Sequence, residues 1–134
     1  MHYYFSCGLR RYIAAPLHAE NLLAAMNDLT KSEKRTVREL LADAHEAEIA
    51  SALIDVEEAI KEWRRAEILP SEVSKRIHEF HKETQEIFKT YSYVNPMLAL
   101  ARAVAFGFID FSRVPPALQP RVKELQTLVE RDGG

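Results

Sequence analysis

Two histidines three residues apart, His78 and His81, have the type and spacing of metal ligands. Residues three apart share a helix face, so both imidazoles can point the same way. His45 or a glutamate from a facing helix is a candidate further ligand. A di-iron bundle places a glutamate three residues before each histidine, and neither histidine has one, since Lys75 precedes His78. A metal- or small-ligand-binding helical bundle is therefore an alternative function, while the simpler interpretation leaves both histidines solvated or at the core edge.

Carboxylate pairs are the next candidates for chemistry. Glu57 with Glu58, and Glu46 with Glu48, fall on the polar side of a predicted long helix, where we expect a solvated face. The chain has no Gly-rich phosphate loop, nucleophile elbow or Cys/His zinc spacing, and Cys7 is its single cysteine. We therefore predict no catalytic residues, no cofactor and no enzymatic activity.

Arginine and tryptophan offer a different role. Trp63 is followed by Arg64 and Arg65, and Trp and Arg are enriched at protein-binding hot spots. The alternative is that Trp63 merely closes an apolar stripe. Arg102 is the single charge in the apolar stretch 97–109, and we expect its stem to pack while its guanidinium reaches water. The alternative is that the guanidinium of Arg102 points at a carboxylate of this chain or at a binding partner.

Composition predicts that helices position these residues. Glycine is scarce and 28% of the residues are charged, as in helical proteins. The net charge of −2 favours neither nucleic acid nor a membrane surface. No signal peptide or transmembrane segment is recognisable, so we expect a cytoplasmic protein. Residues 1–30 are predicted to be an N-terminal arm and a short helix, and 31–134 an all-α domain.

A long helical hairpin is the main predicted element. Thr30 and Glu33 form a capping box, which starts a helix expected to cover about 32–67. Pro70 breaks the chain, and Ser71 is predicted to cap a second helix that ends near residue 91. Two long helices joined by a tight turn form an antiparallel pair.

The long helix carries two apolar stripes that face different directions. The first contains Val37, Leu40, Leu41 and Ala44. The second contains Ile49, Leu53, Val56, Ile60 and Trp63, and is rotated by roughly 120° at 100° per residue. One short core cannot cover both stripes, so the second is predicted to form the interface of a homodimer.

A small helical head is predicted to follow the hairpin. Asn95 caps and Pro96 begins an apolar helix that extends to about Ile109. A helix apolar on nearly every side must be surrounded by protein. A last helix of about 120–131 completes the head. The fold class is therefore all-α: a long helical hairpin with a small helical head, dimerising through the long helices.

Between about residues 32 and 128, several short segments follow the predicted elements in a recognisable order: Gln85-Glu86-Ile87, the segment Lys89 to Tyr93, Leu100-Ala101, Val104-Ala105, Gly107 to Ile109, and Arg121 to Leu125. In this order and spacing the chain resembles the fluorescence recovery protein family, small all-α dimers. Members of that family bind the orange carotenoid protein and speed its return to the resting form. The resemblance thus implies a non-enzymatic dimeric regulator whose partner is another protein, such as a carotenoid-binding photoprotein.

The resemblance also suggests where a partner binds. The family's aromatic residue on the apolar helix corresponds to Leu98, and its basic residue on the last helix to Lys123. Where the family has a Trp, an Asp and an Arg on its second helix, this chain has Ser74, His78 or Glu79, and Thr84. The tentative protein-binding residues are Trp63, Arg65, Leu98, Arg102 and Lys123.

Overall fold

A computed structural model describes residues 29–133, which form four α-helices and one 3-10 turn. The elements are α1 (Lys31–Arg64), α2 (Pro70–Tyr93), α3 (Pro96–Ala105), η1 (Phe111–Arg113) and α4 (Gln119–Gly133). The predicted all-α hairpin and head are confirmed, and these residues contain no strand. The predicted arm and short helix before Leu29 lie outside the described residues. Within the described range, no helix has both the length and the apolar character needed to cross a bilayer.

The helix ends follow local chemistry. The predicted capping box is present, with the Glu33 N–H donating to Thr30 Oγ1 at 3.1 Å and the Thr30 N–H to Glu33 Oε1 at 3.2 Å. Asn95 caps α3 as predicted, since its Oδ1 accepts from the Met97 N–H at 3.0 Å. The predicted Ser71 cap is wrong: α2 begins at Pro70, whose fixed φ suits the first helical position, and the N-cap residue makes no side-chain hydrogen bond.

The hairpin is antiparallel and closely packed. Tyr91 meets Glu48 near one end, and Arg76 lies 3.4 Å from Glu62 near the other. The line of contact uses small side chains on α1 and larger ones on α2, which lets the two backbones approach. Its buried apolar residues are Ala52 and Ala59 on α1, and Val73 and Ile87 on α2.

The head packs on the N-terminal half of α1. The first apolar stripe of α1, predicted from its spacing, contributes Val37, Leu40 and Ala44 to one core with α3 and α4. All of α3 from Met97 to Val104 is buried, as its apolar sequence predicts. The remaining members of this core include Leu100, Ala101, Ile109, Val114, Leu118, Val122 and Leu125.

Candidate interaction surface

The second apolar stripe of α1 lies beside the contact with α2, not on it. Taking Glu48, Ala52 and Ala59 as the contact line, Ile49 and Ile60 lie about 100° further round the helix. In the described chain the stripe is only partly covered. Ile49, Val56 and Ile60 are half-buried, while Leu53 and Trp63 are 46% and 43% exposed.

Helix α2 carries an exposed apolar stripe of its own. Ile77 and Phe88 are 47% and 53% exposed and lie about 60° and about 80° from the line through Val73 and Ile87. Two antiparallel helices that face each other turn in opposite senses when viewed from one end. The stripes on α1 and α2, each displaced forward from its contact line, therefore project to the same side of the hairpin.

A ring contact supports this geometry. His45 of α1 precedes the second stripe by one turn, and Tyr91 of α2 follows Phe88 by three residues. Their rings stack with centroids 5.2 Å apart and an interplanar angle of 30°. The two stripes thus adjoin along one edge of the helix pair.

Together the stripes form one surface, which we call the uncharged face. Its residues are His45, Ile49, Leu53, Val56, Ile60 and Trp63 of α1, and Ile77, His81, Thr84 and Phe88 of α2. None of these residues carries a carboxylate, an ammonium or a guanidinium group, and the exposed Glu46, three residues before Ile49, borders the face. The opposite side of the hairpin instead presents Glu58, Lys61 and Glu62 of α1 with Lys75, Glu79, Lys82 and Glu86 of α2. Depletion of charge with enrichment in aromatic residues is typical of the core of a protein interface.

A buried ion pair joins the hairpin to the head. Arg102 of α3 is fully buried and donates twice to Glu48 of α1, with Nη1–Oε1 at 2.5 Å and Nη2–Oε2 at 2.8 Å. The Tyr91 hydroxyl of α2 donates to the same Oε1 at 2.9 Å. The guanidinium also lies 5.2 Å from the ring centroid of Phe106. One carboxylate therefore holds three helices together.

Two predictions fail at this pair. The guanidinium of Arg102 does not reach water, because it points into the hairpin–head junction; the alternative of a carboxylate partner is the one observed. Glu48 is buried, not solvated, whereas Glu46 and the pair Glu57 and Glu58 are exposed as expected. The spacing does indicate that Glu48 is buried, since Glu48 continues the stripe of Val37, Leu40 and Ala44 by one further turn.

Burial around the pair affects the tyrosine. Loss of solvent raises the pKa of Tyr91 well above its ordinary value, and the negative charge of Glu48 acts in the same direction. Tyr91 is therefore a hydroxyl donor at any physiological pH. The buried Nε of Arg102 has no hydrogen-bond partner in the described part of the chain.

The whole chain gives no family assignment. It matches no protein-family model, no curated protein and no solved structure. The resemblance to the fluorescence recovery protein family therefore stays a prediction based on the order and spacing of elements, and function is argued from the surfaces described above.

The tentative protein-binding residues are not gathered at one place. Leu98 is 6% exposed and packs with Val94, Ala99 and Val129, so it presents little surface to a partner in the described chain. Lys123 is exposed on α4, its Nζ 5.4 Å from the centroid of the Phe111 ring. Trp63 and Arg65 lie at the far tip of the hairpin, about 30 Å along α1 from the head.

The tip combines an aromatic ring with arginines. The guanidinium of Arg64 lies 6.0 Å from the ring centroid of Trp63. Arg65 donates to Glu67 through Nε at 2.9 Å and Nη2 at 3.3 Å, and this bond lowers the pKa of the Glu67 carboxyl. Leu69 adds the most exposed apolar side chain of the turn, at 68%. Trp63 thus belongs both to the tip and to the end of the uncharged face.

The histidines do not assemble a metal site in the described residues, where no three potential ligands come together. His81 lies with its ring Nε2 3.3 Å from the amide nitrogen of Gln85. His78 is exposed on the outer side of α2. His45, the candidate third ligand, stacks on Tyr91 instead. The predicted alternative function therefore gains no support from this geometry.

Proposed function

We propose that this protein is a non-catalytic regulator that acts as a homodimer and binds another protein. The observation that carries the proposal is the uncharged face, which combines exposed Leu53, Trp63, Ile77 and Phe88 on one side of a hairpin whose other side is charged. Large contiguous apolar patches on a folded chain mark interaction sites.

A second copy of the chain is the occupant that fits this face. The face is about 27 Å long and about 20 Å wide, a projection of about 540 Å², compared with the roughly 800 Å² per partner of a standard interface. An uncharged surface meets an identical copy without charge repulsion, and full burial of each large side chain is worth about 1.5–3 kcal/mol. The head leaves the face open, because Val37, Leu40 and Ala44 turn the other way from the contact line.

Two adjacent residues of α1, which point about 100° apart, test the dimer. Leu53→Glu places a carboxylate inside the uncharged face, so we expect it to yield a monomer by light scattering at micromolar concentration. Ile54→Glu is the matched control, because Ile54 is even more exposed, at 55%, but lies on the charged side between Glu58 and Lys61. It should remain dimeric. Equal masses for the two variants would refute the proposed interface.

Binding of a second protein is proposed at the hairpin tip. Trp63 is a large aromatic ring that remains 43% exposed with Arg64 and Arg65 beside it, a combination enriched at hot spots. The resemblance in element order suggests a carotenoid-binding photoprotein as the first partner to try. Fold-level likeness does not fix the partner, so the tip is the basis of the proposal.

The partner test uses affinity capture from the source cell. A stoichiometric protein held by the wild type should be lost with Trp63→Ala and retained with Tyr93→Ala, which truncates an even more exposed aromatic residue at the other end of the hairpin. The captured protein, and separately a carotenoid-binding photoprotein, are then titrated with the purified chain. A substrate turned over by the purified chain, with no partner captured, would overturn the proposal.

A further inference from the structure

We infer that the two copies in the dimer run in opposite directions along the uncharged face, with the guanidinium of Arg64 in each copy donating to the carboxylate of Glu46 in the other. The inference rests on the proposed dimer, and it adds the register of the two copies and the residues that fix it. Each end of the dimer then combines the hairpin tip of one copy with the head end of the other. The protein-binding site proposed at Trp63 therefore adjoins the second copy.

The spacing of the second stripe of α1 reads the same in both directions. Ile49, Leu53, Val56 and Ile60 follow one another at intervals of four, three and four residues. Two antiparallel copies of α1 can therefore meet with Ile49 against Ile60 and Leu53 against Val56, so that every apolar side chain has an apolar partner. Apolar residues at alternating intervals of three and four are typical of the seam between two helices.

Glu46 and Arg64 stand at opposite ends of this stripe and on the same edge of it. They are 18 positions apart, which is five full turns, so both lie at the same angle round α1 and about 27 Å from each other along its axis. When Ile49 lies against Ile60 of the second copy, Glu46 comes within one residue of the level of Arg64 of that copy. Two-fold symmetry repeats the contact at the other end of the dimer.

Neither of these charges is paired within the described residues. Glu46 is exposed and makes no hydrogen bond or ion pair there. The exposed guanidinium of Arg64 lies 6.0 Å from the ring centroid of Trp63 and contacts no carboxylate in the same part of the chain. The neighbouring Arg65, by contrast, is 2.9 Å from Glu67. Opposite charges at the rim of an interface fix register and exclude wrong pairings, which is the role we assign to Glu46 and Arg64.

The other two-fold arrangement, with both heads at one end, leaves these charges unpaired. It sets α1 opposite α2 of the second copy, because the two helices of each hairpin are antiparallel. Arg76 of α2 lies beside Glu62, which gives the level of α2 that would face Arg64. At that level, the edge of the face on α2 carries Ser74 and His78, neither of which is a carboxylate. Charge complementarity therefore favours copies that run in opposite directions.

Charge exchange at the two positions tests the register. The dissociation constant of the full chain is measured by sedimentation velocity at about 50 mM salt, where surface charges are less screened than at physiological salt. Glu46→Arg sets two arginines against each other at both ends, and Arg64→Glu sets two glutamates, so each should raise the dissociation constant about tenfold. The double variant Glu46→Arg/Arg64→Glu should return to within about threefold of wild type. Glu58→Arg makes the same charge change on the opposite side of α1 and should behave like wild type.

A mixture of the two single variants gives a second, independent result. One copy of Glu46→Arg and one copy of Arg64→Glu meet with opposite charges at both ends only if the copies run in opposite directions. The mixture should therefore associate about tenfold more tightly than either variant alone. This gain also shows that each variant is folded.

The outcomes separate the register from the dimer. A monomeric wild type refutes the dimer, and the register with it. A wild-type dimer whose dissociation constant is unchanged by one or both single variants overturns the register while the dimer stands. So does an equal loss of affinity in Glu58→Arg. A loss that either the double variant or the mixture fails to reverse also overturns the register, because its cause would then not be the contact between Glu46 and Arg64.

Discussion

The carboxylate of Glu48 is the point where the hairpin and the head are joined, and its partners decide what each substitution does. Removing one member of a buried pair leaves the other charge uncompensated, which typically costs about 3–5 kcal/mol. Replacing both by apolar groups of similar size is often neutral. We therefore expect the pair mainly to fix the position of α3 along α1, because the two guanidinium donors of Arg102 have a fixed spacing that matches the carboxylate of Glu48.

A double-mutant cycle checks this directly. We expect Arg102→Met and Glu48→Leu each to lower the free energy of unfolding by about 3–5 kcal/mol, and the double variant to lower it by less than either single change. Urea unfolding at one fixed protein concentration gives the values. Single substitutions that cost under about 1 kcal/mol, or strictly additive effects, would show that the pair is not coupled in this way.

The raised pKa of Tyr91 leads to a second prediction at this scale. A group whose pKa is higher in the folded state stabilises that state fully below its unfolded value, near 10 for tyrosine, and this stabilisation is lost as the pH rises above it. Wild type should therefore lose more stability between about pH 9 and 11 than Tyr91→Phe, which lacks the ionisable hydroxyl. At neutral pH the variant should be less stable by about 1 kcal/mol, the value of one hydrogen bond. Parallel alkaline losses in both proteins would contradict this account.

Prediction from sequence is least complete at the residue scale. Arg102 was expected to reach water because a lone arginine on an apolar helix usually does so, and nothing in α3 itself identifies its partner. Glu48 lies 54 positions away along the chain. Only the packing of the hairpin on the head brings the two together, so periodicity within one helix cannot find the pair.

At the scale of elements, two residues with positive φ mark where helices end. Gly107 has φ 79 after α3, and a Cβ built there meets no atom within 4 Å. Ala66 has φ 59 in the hairpin turn, a conformation that disfavours an L side chain by roughly 1–2 kcal/mol. A side chain added at position 107 should therefore lower the stability of the fold, whereas removal of the side chain at position 66 should raise it.

Exchanging glycine and alanine at these two positions tests whether the positive φ affects stability. Gly107→Ala should destabilise the chain by about 1 kcal/mol through its backbone conformation alone, and Ala66→Gly should stabilise it by a similar or smaller amount. Thermal unfolding followed by circular dichroism measures both. A stabilising Gly107→Ala would mean that the helix end relaxes without strain.

Element positions were largely predictable, because caps and turns depend on neighbouring residues. The capping box at Thr30 and the cap at Asn95 were found where the sequence indicated them. Helix α1 was expected to continue to about residue 67 but ends at Arg64, where the left-handed Ala66 closes the turn. Alanine has no intrinsic preference for that conformation, so the turn is determined by the packing of α1 on α2.

At the scale of the whole molecule, the division of α1 between two neighbours is the main result. Its first stripe is buried by the head, as expected from a change of face along one long helix. The second stripe remains open, and its continuation onto Ile77 and Phe88 of α2 was not predicted, because it depends on the relative rotation of two helices. The uncharged face is the consequence of that rotation.

The native mass of the full chain is the most direct test of the central claim that a second copy covers this face. Sedimentation equilibrium at neutral pH and low micromolar concentration should give twice the chain mass of 15.4 kDa, about 31 kDa. The mass should fall toward that of one chain on dilution, or at the same concentration in Leu53→Glu. A mass of 15.4 kDa for the wild type across the series would contradict the account.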